Sequence, residues 1–156
     1  MADQVSKIIE NPTRKAFAGA IPHNQDLGIE PLEAEGGHAL AKLPYDERLV
    51  GDPETGVIHG GVVTTLIDTV CGLAVMTALD KPQPIATLDL RIDYLKPAMP
   101  KEDLLARAHA YKITRQVVFV RATAYQTDEK QPIANAVGTF MLTGRLGPGA
   151  HAGKKR

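Results

Sequence analysis

The sequence is short of cysteine and of net charge, and each shortage excludes a class of protein. Cys71 is the only cysteine, so neither an intrachain disulfide nor a multi-cysteine zinc site can form, and a reducing, cytoplasmic location is expected. Lysine plus arginine number 18, as do aspartate plus glutamate. A chain without net charge lacks the basic field that holds a polyanion, so no nucleic-acid partner is expected.

The sequence also has few long apolar runs. The N-terminus, "MADQVSKIIENPTRKAF", has no apolar core of signal-peptide length. No stretch approaches the roughly 20 apolar residues that span a bilayer, so no membrane partner is expected. The 156 residues, 44% of them hydrophobic, are enough for one domain with a substantial core.

Changes in composition divide the chain into three parts. Residues 4–17 have irregular helical spacing interrupted by Asn11-Pro12, which predicts two short helices in an N-terminal helical segment, residues 1–26. Residues 27–143 form the predicted main domain. Residues 144–156 are glycine-rich and basic without periodicity, which predicts a flexible tail.

The main domain begins with a predicted hairpin. Gly36-Gly37 lies between two short apolar segments, which predicts strands at Ile29–Glu33 and His38–Leu43. Residues 46–58 are rich in Gly, Asp and Pro and are predicted to form a loop.

A long helix and four strands are predicted next. The chain is apolar from Gly60 to about Leu79, too long for a strand, and prolines follow it. Four alternating segments after the helix have short links, which predict an antiparallel meander; they span residues 85–98, 103–114, 117–128 and 132–143. The expected class is α+β, with a six-stranded antiparallel sheet wrapped around one long central helix.

One charge interrupts the apolar helix. The predicted core stripe comprises Val62, Val63, Leu66, Val70, Leu73 and Ala74, and Asp68 points away from it. Its neighbours Cys71, Gly72 and Val75 are small, which suggests an open cleft. A buried charge costs on the order of several kcal/mol unless it is hydrogen-bonded, paired or hydrated. Asp68 is therefore a functional carboxylate, a residue on a wet face, or a structural residue bonded to Thr64 or Thr65.

The start of the helix carries a second candidate feature. Gly60 and Gly61 stand where backbone N–H groups are free to bind an oxyanion, and glycine lets a ligand approach closely. His59 before them is a candidate functional residue or only a helix cap. At 1.5 Å per residue, His59 and Asp68 are about 13 Å apart along one helix. A shared site would need Asp68 from a second subunit.

The segment "GVIHGGVVTTLIDTVCG", with "TLDLRIDYLKPA" and "ANAVGTFML" after it, resembles the hotdog-fold thioesterases, specifically the PaaI-like acyl-CoA thioesterases of the phenylacetate pathway. The resemblance covers roughly residues 27–143. It implies a homodimer whose sheets join edge to edge, often a homotetramer, with each active site between two subunits. The implied activity is hydrolysis of a small, medium-chain or aryl-acetyl CoA thioester without a metal or redox cofactor.

The resemblance also implies roles for single residues. The Gly60 amide would polarise the thioester carbonyl, His59 would support its loop, and Asp68 of the facing subunit would be the nucleophile or the general base. Thr87 matches a position where a hydroxyl orients the attacking water. Gly61 and Gly72 are expected to line the substrate site.

One departure from the family pattern concerns the loop before the helix. Many relatives have Asn or Gln six residues before the motif histidine, where this chain has Pro53, and Asp52 is the candidate substitute. An ionised Asp cannot donate a hydrogen bond, which weakens a role that needs a carboxamide. A non-catalytic protein that binds or senses acyl-CoA, and a hotdog dehydratase, are the alternative functions.

Three further candidates are considered. Cys71 has no histidine placed in sequence to activate it, so a buried, inert thiol is expected. A metal site of Asp68 and His59 with His38 or His109 matches no known ligand spacing, so no metal is expected. Candidate partners of the CoA phosphates are Arg91, Lys96, Lys112, Arg115, Lys154, Lys155 and Arg156.

Overall fold

The computed structural model describes residues 21–143. Two helices are seen there, α1 (Pro22–Asp26) and α2 (Gly60–Ala78). The strands are β1 (Glu30–Glu35), β2 (His38–Leu43), β3 (Val50–Asp52), β4 (Val57–Ile58), β5 (Ile85–Tyr94), β6 (Leu104–Ile113), β7 (Val117–Tyr125) and β8 (Ala134–Leu142). The helices predicted within residues 4–17 and the predicted tail, residues 144–156, lie outside the described residues.

The large sheet has six antiparallel strands, as predicted, in the order β1-β2-β6-β7-β8-β5. The predicted four-strand meander is wrong in one respect. Strands β6, β7 and β8 follow one another, but β5 pairs with β8 at the far edge. The chain reaches that edge because α2 carries it across the sheet from β2, and the link after β5 returns it to β6 beside β2.

The first hairpin forms around the predicted glycines. Gly36 and Gly37 have φ of 56° and 83°, left-handed values that a two-residue hairpin turn requires and that glycine adopts without strain. Strand β1 is Glu30–Glu35, later than the predicted Ile29–Glu33, because its pairing with β2 continues to Glu35 opposite His38. The predicted loop over residues 46–58 also needs correction, since it holds a 3₁₀ turn and the β3-β4 hairpin.

Helix α2 packs against an inner sheet face made largely of alanine. Its own buried residues include Val63, Leu66, Val70 and Leu73. Opposite them, the inward positions of five strands are alanines: Ala34, Ala39, Ala41, Ala106, Ala108, Ala110, Ala122, Ala124, Ala134 and Ala136. Alanine is a poor strand former, so its repeated use reflects packing: small side chains let the helix lie close to the sheet. We call this surface the alanine floor.

The length of α2 corrects the expectation about membranes. The helix has 19 residues and is apolar enough, by length and composition, to cross a bilayer. Its apolar character has another cause here, because ten of its residues are buried against the sheet and loops. A central helix that is covered on most sides needs apolar residues on nearly all of its faces.

Candidate active site

Asp68 is anchored by a threonine of the edge strand. The Thr87 hydroxyl on β5 donates a 2.9 Å hydrogen bond to Oδ1 of Asp68, and the Asp68 side chain stays partly exposed. The structural alternative for this aspartate named Thr64 and Thr65 as donors, and it is wrong, because the Thr65 hydroxyl donates to the Gly61 carbonyl and the Thr64 hydroxyl contacts Tyr94 and the Gly60 carbonyl. Thr87 therefore holds one carboxylate oxygen, and no hydrogen bond to the other is seen within residues 21–143.

The amides at the start of α2 are not equivalent. His59 is the N-cap, and its Nδ1 accepts a 2.9 Å hydrogen bond from the Gly61 N–H. The Val62 N–H donates to the His59 carbonyl. Within residues 21–143 the Gly60 N–H has no acceptor, and Gly60 is exposed. Of the two predicted glycine donors, the Gly60 N–H is open to a ligand, whereas the Gly61 N–H is already bonded to His59.

His59 is itself held by the hairpin before the helix. Its backbone N–H donates 2.9 Å to the Leu49 carbonyl. A Cβ on Gly51 would lie 2.8 Å from the His59 Cα, so strand β3 presses directly on the residue that caps the helix. Gly51 was not singled out from the sequence, because this contact depends on the β3-β4 pairing.

A cavity lies beside the open amide. Its volume is about 340 Å³, and its walls include Gly60, Val63, Tyr94 and Lys96. Among the candidate phosphate partners within residues 21–143, Lys96 lines this cavity, whereas Arg91 pairs with Asp93 at 3.0 Å. Mostly apolar walls with a cation at one side suit a thioester whose acyl group is apolar and whose thiol part carries phosphates.

The small residues near Asp68 on α2 were expected to line an open cleft, and this expectation is wrong. Cys71 and Val75 are fully buried in the core, and Gly72 packs with its Cα toward Ile85 and Phe140. Gly72 therefore lies beneath the surface of a single subunit, and its role in substrate binding stays a prediction. Burial, with a smaller effect of Asp68, raises the pKa of Cys71 to about 12, so the thiol is protonated at neutral pH.

Asp52 is engaged in its own turn. Its carboxylate accepts hydrogen bonds from the Thr55 hydroxyl at 2.7 Å and the Glu54 amide at 3.1 Å. These bonds, the Thr55 hydroxyl first, hold the Asp52 pKa below its usual value. Asp52 is therefore an ionised acceptor that closes the β3-β4 turn, and its contact with substrate stays a prediction.

His38 and His109 lie on the outer face of the sheet, away from α2. Their rings stack with centroids 4.0 Å apart, and the two residues are paired across β2 and β6. Asp68 lies on the opposite side of the sheet, so these histidines do not form a metal site with it. Within residues 21–143 no group of three or more His, Cys, Asp or Glu residues is placed to hold a metal ion.

This histidine pair predicts a loss of stability in mild acid. Desolvation, then the charges of His38 and Arg121, lower the pKa of His109 in the folded protein. The unfolded chain consequently binds the proton first, so the contribution to stability is complete above about pH 6.5 and falls as the pH drops toward the folded pKa. Urea unfolding of His109→Gln should show a weaker pH dependence over this window than wild type, and an equal dependence would contradict the assignment.

Comparisons with known proteins agree with this architecture. A family model described as the thioesterase superfamily matches residues 55–133. A relative from Halobacterium salinarum is 38% identical over 118 residues, 72% of this chain and 77% of its own. YigI of Escherichia coli, named a medium/long-chain acyl-CoA thioesterase, is 27% identical over 154 residues, 90% of this chain and 96% of its own.

A solved structure supports the same fold. The PaaI protein from the phenylacetic acid degradation operon of Escherichia coli has a TM-score of 0.76 over 90% of this chain and 96% of its own, at 18% identity. At that identity the likeness shows the fold alone, and it confirms the resemblance inferred from the sequence. The long helix against a six-stranded antiparallel sheet, the matched family model and these relatives together establish that the chain belongs to the hotdog-fold thioesterase superfamily and is a thioester hydrolase.

Proposed function

We propose that this protein hydrolyses acyl-CoA thioesters with a small, medium-chain or aryl-acetyl group, at a site built between two subunits. The Gly60 amide of one subunit binds the thioester carbonyl oxygen, and Asp68 of the partner subunit is the nucleophile or the general base. The observation that carries the proposal is the presence of two functional groups on one helix: an open N–H at its start and a partly exposed carboxylate two to three turns later.

The chemistry follows from the charge that develops during hydrolysis. When Asp68 acts as base, it takes a proton from water, the oxygen attacks the carbonyl carbon, and the C–S bond breaks. The proton held by Asp68 then passes to the departing thiolate, which gives the acid and the thiol. When it acts as nucleophile, its carboxylate attacks the carbonyl carbon and the C–S bond breaks, which gives a mixed anhydride and the thiolate. Water then hydrolyses the anhydride to the free acid and restores the Asp68 carboxylate, and one proton from water passes to the thiolate. In both cases the carbonyl oxygen becomes negative, and a fixed N–H donor stabilises that charge at the helix N-terminus.

The edge strand supports the assembly of such a site. Within residues 21–143, strand β5 is at the edge of the sheet with one side unpaired, and Leu88, a large apolar residue on it, is 54% exposed. Exposed apolar edges are places where a second chain adds. If two copies of β5 paired antiparallel about a twofold axis near Leu90, Asp89 would lie opposite Arg91 of the partner subunit. These two residues carry opposite charges and would lie on the same face of the joined sheet.

The same pairing would bring together the start of α2 and Asp68, which lie about 13 Å apart along the helix of one subunit. Thr87 lies toward the beginning of β5 and holds Asp68, while Tyr94 at the end of β5 contacts Gly60. Antiparallel pairing about the centre of β5 brings the beginning of one strand to the end of its partner. Asp68 of one subunit then approaches Gly60 of the other. A homodimer is thus the smallest active unit we propose; its pairing into a homotetramer, and a cytoplasmic location, stay predictions.

The proposal is tested by thiol release from a panel of acyl-CoAs, from acetyl to palmitoyl with phenylacetyl and benzoyl. Saturable hydrolysis with a preference within the panel is expected. The name of the YigI relative, a medium/long-chain acyl-CoA thioesterase, makes the middle of the panel the best starting point. Binding of acyl-CoA without thiol release would overturn hydrolysis in favour of a binding protein.

The shared site makes a separate prediction. Asp68→Asn and Gly60→Pro subunits are each expected to be inactive as homodimers, but a mixed dimer contains one site with both native groups. Random exchange makes half of the dimers mixed, so about a quarter of wild-type activity should return. The measurement is the rate after co-refolding the two variants at equal concentration. No recovery, with exchange verified by a mass tag, would place both groups in one subunit.

A further inference from the structure

Tyr94 contacts the start of α2 from the end of β5. Its Oη lies 2.7 Å from the Gly60 carbonyl oxygen and 2.7 Å from Oγ1 of Thr64. The Thr64 Oγ1 is 3.1 Å from the same carbonyl. Two hydroxyl protons cannot fill three contacts, and the longest contact is the one between Thr64 and the carbonyl. The arrangement that uses both short contacts has Tyr94 donating to Gly60 and Thr64 donating to Tyr94.

These contacts complete a clamp on one peptide group. The Gly60 carbonyl and the Gly61 N–H belong to the same planar unit. Tyr94 holds its oxygen, and Nδ1 of His59 holds its N–H at 2.9 Å. Gly60 has no Cβ to restrict its backbone, so the direction of its own N–H depends on contacts of this kind.

Tyr94 is also placed where substrate would pass. It lines the cavity beside Gly60, and the residue is 51% exposed. The hydroxyl, by contrast, is directed at the helix start. Removing only the hydroxyl therefore leaves the cavity wall in place and releases the clamp.

We propose that Tyr94 is a positioning residue for thioester hydrolysis: through the Gly60–Gly61 peptide it aims the Gly60 N–H at the developing oxyanion, and Thr64 acts through Tyr94. This inference rests on the proposed role of the Gly60 amide. A donor that is misdirected still permits substrate to bind, so the loss falls on kcat. Thr64 donates to the phenol oxygen and strengthens the bond that the phenol makes to Gly60.

The test is Tyr94→Phe, with Tyr111→Phe as the matched control. Tyr111 is a similarly exposed tyrosine, but it lies on β6 beside Phe119 and Arg121, away from α2. Tyr94→Phe should lower kcat about tenfold with KM nearly unchanged, as expected for a small error in the position of a catalytic group. Tyr111→Phe should match wild type. An unchanged kcat in Tyr94→Phe, or a loss entirely in KM, would overturn the proposal.

A double-mutant cycle tests whether Thr64 acts on Gly60 through Tyr94. Thr64→Val should lower kcat less than Tyr94→Phe and should add little to it in the double variant, because Thr64 acts through the phenol. Fully additive losses would contradict that order.

Amide exchange separates this inference from the proposed activity. In Tyr94→Phe, the Gly60 and Gly61 amide resonances should shift and hydrogen exchange of the Gly61 amide, which is bonded to His59, should accelerate, while the remainder of α2 is unchanged. If wild type hydrolyses no thioester but these amides respond, the clamp exists and the proposed activity fails. If wild type is active and the amides do not respond, the clamp is overturned.

Discussion

Asp68→Asn is expected to lower kcat for acyl-CoA hydrolysis by about 100-fold or more, the size typical of losing a general acid-base group. Asparagine keeps the size of the side chain and an oxygen that can accept the Thr87 hydrogen bond. It removes the negative charge that, in the proposed mechanism, takes a proton from water or attacks the carbonyl. The measurement is thiol release at saturating substrate, together with the thermal midpoint of unfolding, which should change little.

Asp80→Asn is the matched control for that experiment. Asp80 is an exposed aspartate just beyond the end of α2, so its substitution changes net charge equally without touching Asp68. Wild-type kcat is expected for Asp80→Asn. Equal rates for Asp68→Asn and wild type would remove Asp68 from the chemistry and leave its bond to Thr87 as a structural contact.

Gly60→Pro is expected to lower kcat by about 100- to 1,000-fold, which is the range for loss of one oxyanion donor. Proline deletes the N–H and nothing else that the helix uses, because Gly60 is the first helical residue, the position where proline is most readily accepted. His59 has φ −60° and ψ 133°, the extended conformation that a residue before proline prefers. The variant should therefore fold, which circular dichroism checks.

Gly60→Ala separates the amide from the space around it. A Cβ at Gly60 would lie 3.7 Å from the Tyr94 hydroxyl, an ordinary contact, and the N–H would remain. Alanine is thus expected to retain most of the activity that proline loses. Similar losses in both variants would mean that the space, and not the donor, matters at this position.

Local patterns in the sequence predicted most elements. Gly36-Gly37 marked the first hairpin, and the apolar run from Gly60 marked α2 to within a residue of its end at Ala78. Alternation marked the four later strands. These signals are local, because a turn or a helix face is specified by residues close together in the chain.

The features that the sequence did not specify depend on distant contacts. Strand β5 lies beside β8 because α2 crosses the sheet and ends near that edge. No pattern within the sequence of β5 indicates which strand it pairs with. Thr87 was expected to orient water, but its observed contact is Asp68, 19 residues away in sequence. Tyr94 and Gly60 are 34 residues apart, so nothing in either local pattern pointed to the clamp.

The alanine floor limits how this enzyme can vary its substrate. Ala106, Ala108 and Ala122 are at most 5% exposed, so the closely packed space between helix and sheet offers no room for an acyl chain. Larger residues there would lift α2 and with it the Gly60 amide and Asp68 together. Chain-length preference has to be adjusted at the perimeter, by side chains of β4 and of the end of β5 that border the cavity. Directed evolution toward longer substrates should accumulate changes at that perimeter and leave the alanines intact.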